Sequence, residues 1–206
     1  MSERTLLWNC CQFGARSITS LLFDLRVQGQ EYIPPTGGVL IVSNHQSCLD
    51  PVVLGAQLQR PLDYIAKSEL FQNRLAARIL RSLNAFPVHQ GHADVSAVKE
   101  TIHRLQEGHL LNIYPEGART EDGEIARLQR GVALIVKRAK VAVIPAVIDG
   151  AFEAWPIHRK LFRPYPIRIR FGPPMTLADK EPGEIIAIID HTLRSMFNEF
   201  RTRHAA

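Results

Sequence analysis

The chain has 206 residues, of which 46% are hydrophobic and 22% charged, which excludes a largely disordered protein and suits one domain with a sizeable core. The formal charge of +5 is too small to identify a partner by itself. Three cysteines, two of them adjacent, exclude a disulfide framework and favour a reducing compartment.

The first segment predicts an amphipathic helix over residues 6–25. Asn9, Gln12 and Arg16 interrupt it, so it is too polar to span a bilayer, and no secretory leader is expected. Two roles stay open for the apolar stripe: packing on the protein's own core, or lying in a membrane interface. We divide the chain into residues 1–25, this helix, and residues 26–206. The apolar positions recur at helical spacing and are Leu7, Cys10, Gly14, Ile18, Leu21 and Leu25.

The remainder alternates short apolar runs with longer amphipathic runs. Strands are predicted around residue 27 and over 39–42, 62–66, 85–88, 110–114, 141–147 and 166–171. Helices are predicted from 47 or 51 to 59 and over 69–83, 95–106, 128–138 and 184–203. This order predicts an α/β fold whose mixed, mainly parallel central sheet is covered by helices on both faces.

A histidine follows the strand over 39–42, in the segment NHQSCLD. His45 is a competent base near neutral pH, and Asp50, five residues later, could hold its other ring nitrogen. Asp50 before Pro51 would equally well begin a helix, so this pair alone leaves both interpretations open.

A second polar segment, YPEGART, follows the strand over 110–114. Gly117 would allow a close approach of backbone to ligand, and Arg119 offers a planar fork suited to phosphate. Glu116 could hold substrate hydroxyls or orient Arg119. The alternative is a surface turn with a charged rim.

Together these segments resemble the glycerolipid acyltransferase family, which includes 1-acylglycerol-3-phosphate acyltransferases. The order and spacing agree over about residues 25–175. The family's His-x4-Asp motif and its Phe/Tyr-Pro-Glu-Gly-Thr-Arg-Ser motif are both present, with Ala118 for Thr and Thr120 for Ser. The matching positions are Asn44, His45, Ser47 and Asp50 in the first motif, Tyr114 to Thr120 in the third, Pro145 in the Ile-Pro pair of the fourth, and Lys67 after the second strand.

One position departs from the family pattern. The second motif usually ends in an arginine that faces phosphate, and here Gln90 stands in its place, after Phe86 to His89. A neutral amide cannot replace the charge-assisted contact that an arginine makes with phosphate. Either Lys67 or Arg119 holds the phosphate, or the acceptor differs from simple lysophosphatidate.

The resemblance implies an O-acyltransferase that needs no metal or other cofactor. His45 and Asp50 would be catalytic. Asn44, Ser47, Lys67, Gln90, Glu116, Gly117, Arg119 and Pro145 would contact substrate. The donor would be acyl-CoA or acyl carrier protein, and the acceptor a lysophospholipid such as 1-acylglycerol-3-phosphate. Alternatives are a lipid ester or thioester hydrolase using the same pair, or a non-catalytic lipid-binding module.

The stretch 154–170 carries five Lys or Arg residues, no acid and three aromatic residues. It suits anionic lipid head groups or a solvated strand edge better than nucleic acid. We therefore expect the cytoplasmic face of a membrane as the location, with peripheral or monotopic attachment and no nucleic-acid partner.

Overall fold

The structure is a computed structural model that describes residues 6–82, 84–88 and 95–204. Its helices are α1 (Leu6–Phe23), α2 (Asp50–Ala56), α3 (Arg74–Ser82), α4 (Val95–Gln106), α5 (Gly131–Ala139), α6 (Ala151–Ala154) and α7 (Pro182–His204). Its strands are β1 (Arg26–Gln28), β2 (Val39–Ser43), β3 (Leu62–Lys67), β4 (Ala85–Val88), β5 (Leu110–Ile113), β6 (Ala142–Asp149) and β7 (Arg168–Phe171).

The described strands form one sheet in the order β1-β7-β6-β2-β5-β3-β4. Strands β2 to β6 pair in parallel, and β7 runs antiparallel to β6 while pairing in parallel with β1. The sheet is therefore mixed and mainly parallel, as the alternation of apolar runs and helices predicted. The central strands β2 and β5 have neighbours on both sides, which leaves their two ends for loops.

Both faces of the sheet are covered. Along β2, Leu40 and Val42 join the apolar cluster under α4, α5 and α7, whereas Val39 and Ile41 join the cluster under α1, α2 and α6. Side chains alternate between the faces of a strand, so a strand buried on both sides must be apolar throughout. This is why residues 39–42 lack the polar alternation of an exposed strand.

The predicted helix over 69–83 is divided in the structure. A 3₁₀ turn covers Ser68–Phe71, and α3 begins only at Arg74. The side-chain oxygen of Asn73 accepts hydrogen bonds from the N–H groups of Leu75 and Ala76, at 2.9 and 3.1 Å. An asparagine in this position starts a new helix, which explains the interruption.

The N-terminal helix packs on the domain through both polar and apolar side chains, and Phe23 at its end belongs to the apolar core. Thr19 is buried, and the Gln12 amide donates a hydrogen bond to the carbonyl of Leu58 after α2. Ile18 and Leu21 of the predicted apolar stripe are 57% and 85% exposed. Leu25, the last residue of the stripe, packs against the apolar core instead, so the stripe is divided between protein and solvent. None of the described helices is long and apolar enough to cross a bilayer.

A buried charged cluster lies at the amino ends of β3 and β5. The Asp63 carboxylate is fully buried, and its Oδ2 lies 2.9 Å from Arg104 Nη1 and 2.7 Å from His109 Nδ1. A buried carboxylate is tolerated only when it is paired and hydrogen-bonded. The cluster therefore fastens α4 to this edge of the sheet.

We expect Asp63→Asn to lower the free energy of unfolding by about 3 kcal/mol, because it removes the buried carboxylate that pairs with Arg104 and contacts the His109 ring. The matched control is Asp190→Asn, which removes a partly exposed pair with Arg194 within α7 and should cost roughly 0.5 kcal/mol. Urea denaturation measures both. Equal effects in the two variants would contradict a stabilising role for the cluster.

Candidate active site

Two loops that carry the polar motifs leave the same edge of the sheet. Strands β2 and β5 are parallel neighbours, with Val42 beside Ile113. The loops that follow them therefore begin side by side at the carboxyl ends of the strands, where ligand sites of α/β sheets form. The Thr120 N–H donates to the carbonyl of His45 at 2.8 Å, which joins the two loops directly.

The sequence-predicted pair meets in the structure. His45 Nδ1 lies 2.8 Å from Asp50 Oδ2, and the aspartate side chain is fully buried while that of the histidine is 18% exposed. An ionised carboxylate only accepts hydrogen bonds, so Nδ1 carries the hydrogen. This tautomer leaves Nε2 with its lone pair, which is the form of imidazole that accepts a proton.

The same aspartate oxygen also organises the backbone of its loop. Asp50 Oδ2 accepts hydrogen bonds from the N–H groups of Gln46 and Ser47 at 2.6 and 2.8 Å. Asp50 is the first residue of α2, and its side chain makes no capping bond to that helix. The carboxylate is therefore turned back towards the loop.

Asn44 and Ser47 are engaged by the protein backbone. The Asn44 amide exchanges two hydrogen bonds with Ile148, at 2.9 Å to the carbonyl and 2.8 Å from the N–H. Ser47 Oγ donates to the carbonyl of Trp155 at 2.8 Å. Both side chains are buried, and they fasten the loop over residues 44–49, here called the His45 loop, to β6 and to the segment after α6. Direct substrate contact by either residue therefore stays a sequence-based prediction.

Glu116 acts as a clamp between backbone segments. Its Oε1 accepts from the His45 N–H and its Oε2 from the Ala126 N–H, both at 2.7 Å. Burial raises the pKa of Glu116, although these two N–H groups partly offset the loss of hydration. In this structure the carboxylate holds the histidine backbone and does not orient Arg119.

Arg119 lies against the His45 loop. Its Nη1 is 2.9 Å from Cys48 Sγ, and the side chain is half-buried. Sulfur is a weak acceptor, so this contact positions the guanidinium without satisfying it. Gly117 has a φ of +78° in the turn before the arginine, where a residue with a side chain would be strained. The glycine thus serves the turn that presents Arg119.

The three remaining predicted residues differ in placement. Lys67 is exposed at the carboxyl end of β3, on the same edge of the sheet as His45. Pro145 is buried within β6 beside Val42, and its carbonyl accepts from the Gly172 N–H at 2.8 Å. Gln90 lies outside the described residues, so its role as a substrate contact stays a prediction.

Two residues near the dyad were not among the predicted site residues. The Tyr114 ring stacks on the His45 imidazole, with 3.8 Å between centroids and 12° between planes. The buried Gln46 amide contacts the Gly123 carbonyl at 3.2 Å and the Phe152 N–H at 3.4 Å. Both residues belong to the quoted motifs. Their closeness in sequence to His45 and Glu116 was the feature that could have identified them as site residues.

Comparison with known proteins agrees with this arrangement. The model of the Acyltransferase family matches residues 24–149. The 1-acyl-sn-glycerol-3-phosphate acyltransferase of Bacillus subtilis is 30% identical over 174 residues, 84% of each chain. The alpha enzyme of that name from Mus musculus is 28% identical, over 87% of this chain and 65% of its own.

This chain belongs to the acyltransferase family. The crystal structure of the 1-acyl-sn-glycerophosphate (LPA) acyltransferase PlsC from Thermotoga maritima superposes with a TM-score of 0.80 at 26% identity, covering 94% of this chain and 79% of that one. The predicted family, the α/β fold and the expectation of an O-acyltransferase are thereby confirmed.

For this acyltransferase we predict a specific dependence of stability on pH. The folded-state pKa of Glu116 is raised, so the stability it contributes is fully present below the unfolded value and is lost as pH rises through the folded value. The quantity to compare is the difference in free energy of unfolding between the wild type and Glu116→Gln. This difference, wild type minus variant, should decrease as pH rises from below 4.5, the ordinary pKa of a glutamate carboxyl.

Urea denaturation at a series of pH values measures this difference. Glu121→Gln, which changes an exposed carboxylate in the same loop, shows how much of the slope comes from surface charge. A difference that stays constant or increases with pH would contradict the assignment.

Proposed function

We propose that this acyltransferase moves a fatty acyl group from acyl-CoA or acyl carrier protein to the free hydroxyl of 1-acylglycerol-3-phosphate, forming phosphatidate. The observation that carries the proposal is the His45 Nδ1 to Asp50 Oδ2 contact of 2.8 Å, made next to the loop that presents Arg119. The names of the related proteins from Bacillus subtilis and Thermotoga maritima support the same substrate class.

The proposed reaction is a direct transfer. His45 Nε2 removes the proton from the acceptor hydroxyl as its oxygen attacks the thioester carbonyl carbon. The tetrahedral intermediate collapses, the carbon–sulfur bond breaks, and the imidazolium returns the proton to the leaving thiolate. Asp50 stabilises the imidazolium because its buried Oδ2 keeps the hydrogen bond to Nδ1 throughout.

The acceptor phosphate needs a cation on the same edge of the sheet. Arg119 is suited to it, because its contact to Cys48 Sγ is weak and a phosphate oxygen is a much stronger acceptor. Lys67, exposed at the end of β3, supplies a second charge for the same or the donor phosphate. In the family pattern an arginine at the position of Gln90 faces the phosphate. We propose that Arg119 and Lys67 make that phosphate contact in this chain.

We expect His45→Ala and Asp50→Asn to lower turnover by on the order of 10²–10⁴-fold, because the first removes the base and the second its orientation and counter-charge. The assay supplies 1-acylglycerol-3-phosphate and acyl-CoA, or acyl carrier protein, and identifies phosphatidate by mass spectrometry. A parallel reaction without acceptor measures release of free fatty acid.

The chain contains a matched control pair. His109 and Asp63 lie 2.7 Å apart at the opposite edge of the sheet, so His109→Gln should leave turnover of the folded protein unchanged. Release of free fatty acid at the same rate with and without the acceptor would show that the enzyme is a hydrolase and would contradict the proposed transfer. Full activity of His45→Ala would point to a non-catalytic lipid-binding module.

We also propose peripheral attachment to the anionic, cytoplasmic face of a membrane through one continuous surface. The lipid-facing surface, as we define it, consists of Phe13, Ile18 and Leu21 of α1 and Arg159, Lys160 and Leu161 of the loop after α6. Phe13, Leu21 and Leu161 are at least 75% exposed. The end of α1 also contacts this loop, since the buried Phe23 meets Phe162 edge-on at 5.8 Å.

Exposed apolar side chains beside lysine and arginine suit the boundary between head groups and acyl chains. We expect Arg159→Ala with Lys160→Ala to weaken binding to anionic vesicles about 30-fold, from about 1 kcal/mol per cation. Phe13→Ser with Leu21→Ser should weaken binding to anionic and neutral vesicles alike, because it removes apolar contacts.

Vesicle co-sedimentation measures both effects. Leu134→Ser is the control, because this half-exposed leucine lies on α5, whose apolar side packs under the other face of the sheet. Unchanged binding of both double variants, or an equal loss in the control, would contradict the assigned surface.

A further inference from the structure

The ring of Tyr114 forms a flat wall against the catalytic imidazole. The two rings are nearly parallel, at 12°, and their centroids are 3.8 Å apart. Tyr114 is the first residue after β5, and its carbonyl accepts the Gly117 N–H at 3.1 Å, so the backbone on both sides of the ring is fixed. The wall is therefore anchored by the sheet and by the turn that follows it.

The stacked ring matters because, apart from it, the imidazole ring of His45 is held by a single hydrogen bond to the described residues. Asp50 Oδ2 binds Nδ1, whereas Asp50 Oδ1 is buried and accepts no hydrogen bond from the described residues. One hydrogen bond fixes the position of Nδ1 and still allows the plane of the ring to tilt. A parallel aromatic face at 3.8 Å blocks this tilt.

We propose that Tyr114 is a positioning residue for acyl transfer: its ring face holds the plane of His45 so that Nε2 points to the acceptor hydroxyl, and it stabilises the imidazolium formed during the reaction. The inference rests on the proposed function, in which His45 is the general base. An aromatic face attracts a cation, and it does so more strongly where water is excluded.

The positive charge appears on His45 only when the proton is taken. The stack should therefore act on kcat and leave KM nearly unchanged, because it is stronger in the transition state than in the ground state. The charged or titratable groups that contact His45 in the described structure include Asp50, Glu116 and Tyr114 itself. Arg119 and Cys48 lie on the two loops beside it, and Tyr64 is close to Tyr114. Burial, together with the negative charge of Asp50, raises the pKa of Tyr114, so the phenol remains neutral throughout.

The tyrosine hydroxyl has no part in this role. It is buried and has no hydrogen-bond partner among the described residues. Phenylalanine retains the ring face and removes this unsatisfied group, whereas leucine retains much of the volume and removes the face. The two substitutions thus separate stacking from the filling of space.

The test compares Tyr114→Phe and Tyr114→Leu in the acyl transfer assay, with kcat, KM and the pH profile of kcat/KM. We expect kcat of Tyr114→Leu to fall about tenfold at constant KM, the range of a desolvated cation–aromatic contact. Its activity should also persist to lower pH, because imidazolium loses a stabilising neighbour. Tyr114→Phe should stay within about twofold of wild type and unfold at the same or a higher temperature.

Phe86→Leu controls for the general loss of a buried aromatic ring, because Phe86 lies under Arg104 on the other side of β3 from β5. NMR of the His45 ring proton provides a readout without turnover. Its ring-current shift should disappear in Tyr114→Leu and persist in Tyr114→Phe. This measurement tests the stack even if the transferred group proves different from the one proposed.

Three outcomes would overturn the inference. One is an unchanged kcat and pH profile in Tyr114→Leu. Another is an equal loss in Tyr114→Phe, which would assign the effect to the hydroxyl. The third is a loss in Tyr114→Leu that matches Phe86→Leu, follows the fall in melting temperature and leaves the pH profile in place, which would make the ring merely structural.

Discussion

A single buried carboxylate oxygen organises the loop that carries His45. Asp50 Oδ2 receives hydrogen bonds from His45 Nδ1 and from the N–H groups of Gln46 and Ser47. Burial of an ionised carboxylate is costly, and these three donors offset that cost only while the loop keeps its present shape. The shape of the loop and the tautomer of the histidine thus depend on the same charge.

The order of the strands brings the rest of the site to this loop. β2 and β5 are separated by almost seventy residues in sequence, yet they are adjacent in the sheet. Glu116 uses this adjacency, since one carboxylate oxygen binds the His45 N–H and the other binds the Ala126 N–H. Movement of either loop would take an N–H donor away from the buried Glu116 carboxylate, and this cost holds the two loops in place relative to each other.

The sequence predicted the fold class and the His45–Asp50 contact because apolar runs and short spacings depend on local chemistry. It did not predict how polar side chains inside the motifs are used. Asn44 and Glu116 are polar residues at strand ends, a pattern shared by ligand contacts and backbone clamps, and only the positions of Ile148 and Ala126 separate the two. The orientation of α1 stayed open for a related reason, because an apolar stripe does not state whether protein or lipid covers it.

The hydrogen bond from Ser47 Oγ to the Trp155 carbonyl connects the His45 loop to the start of the loop after α6, which carries Arg159 and Lys160. Ser47 also donates its N–H to Asp50, so the connection continues to the carboxylate that holds the imidazole. In the membrane attachment proposed above, the depth of the loop after α6 among the head groups would therefore set the height of His45 above the bilayer. Lipid composition could then tune how readily an acceptor, still embedded by its acyl chain, reaches the base.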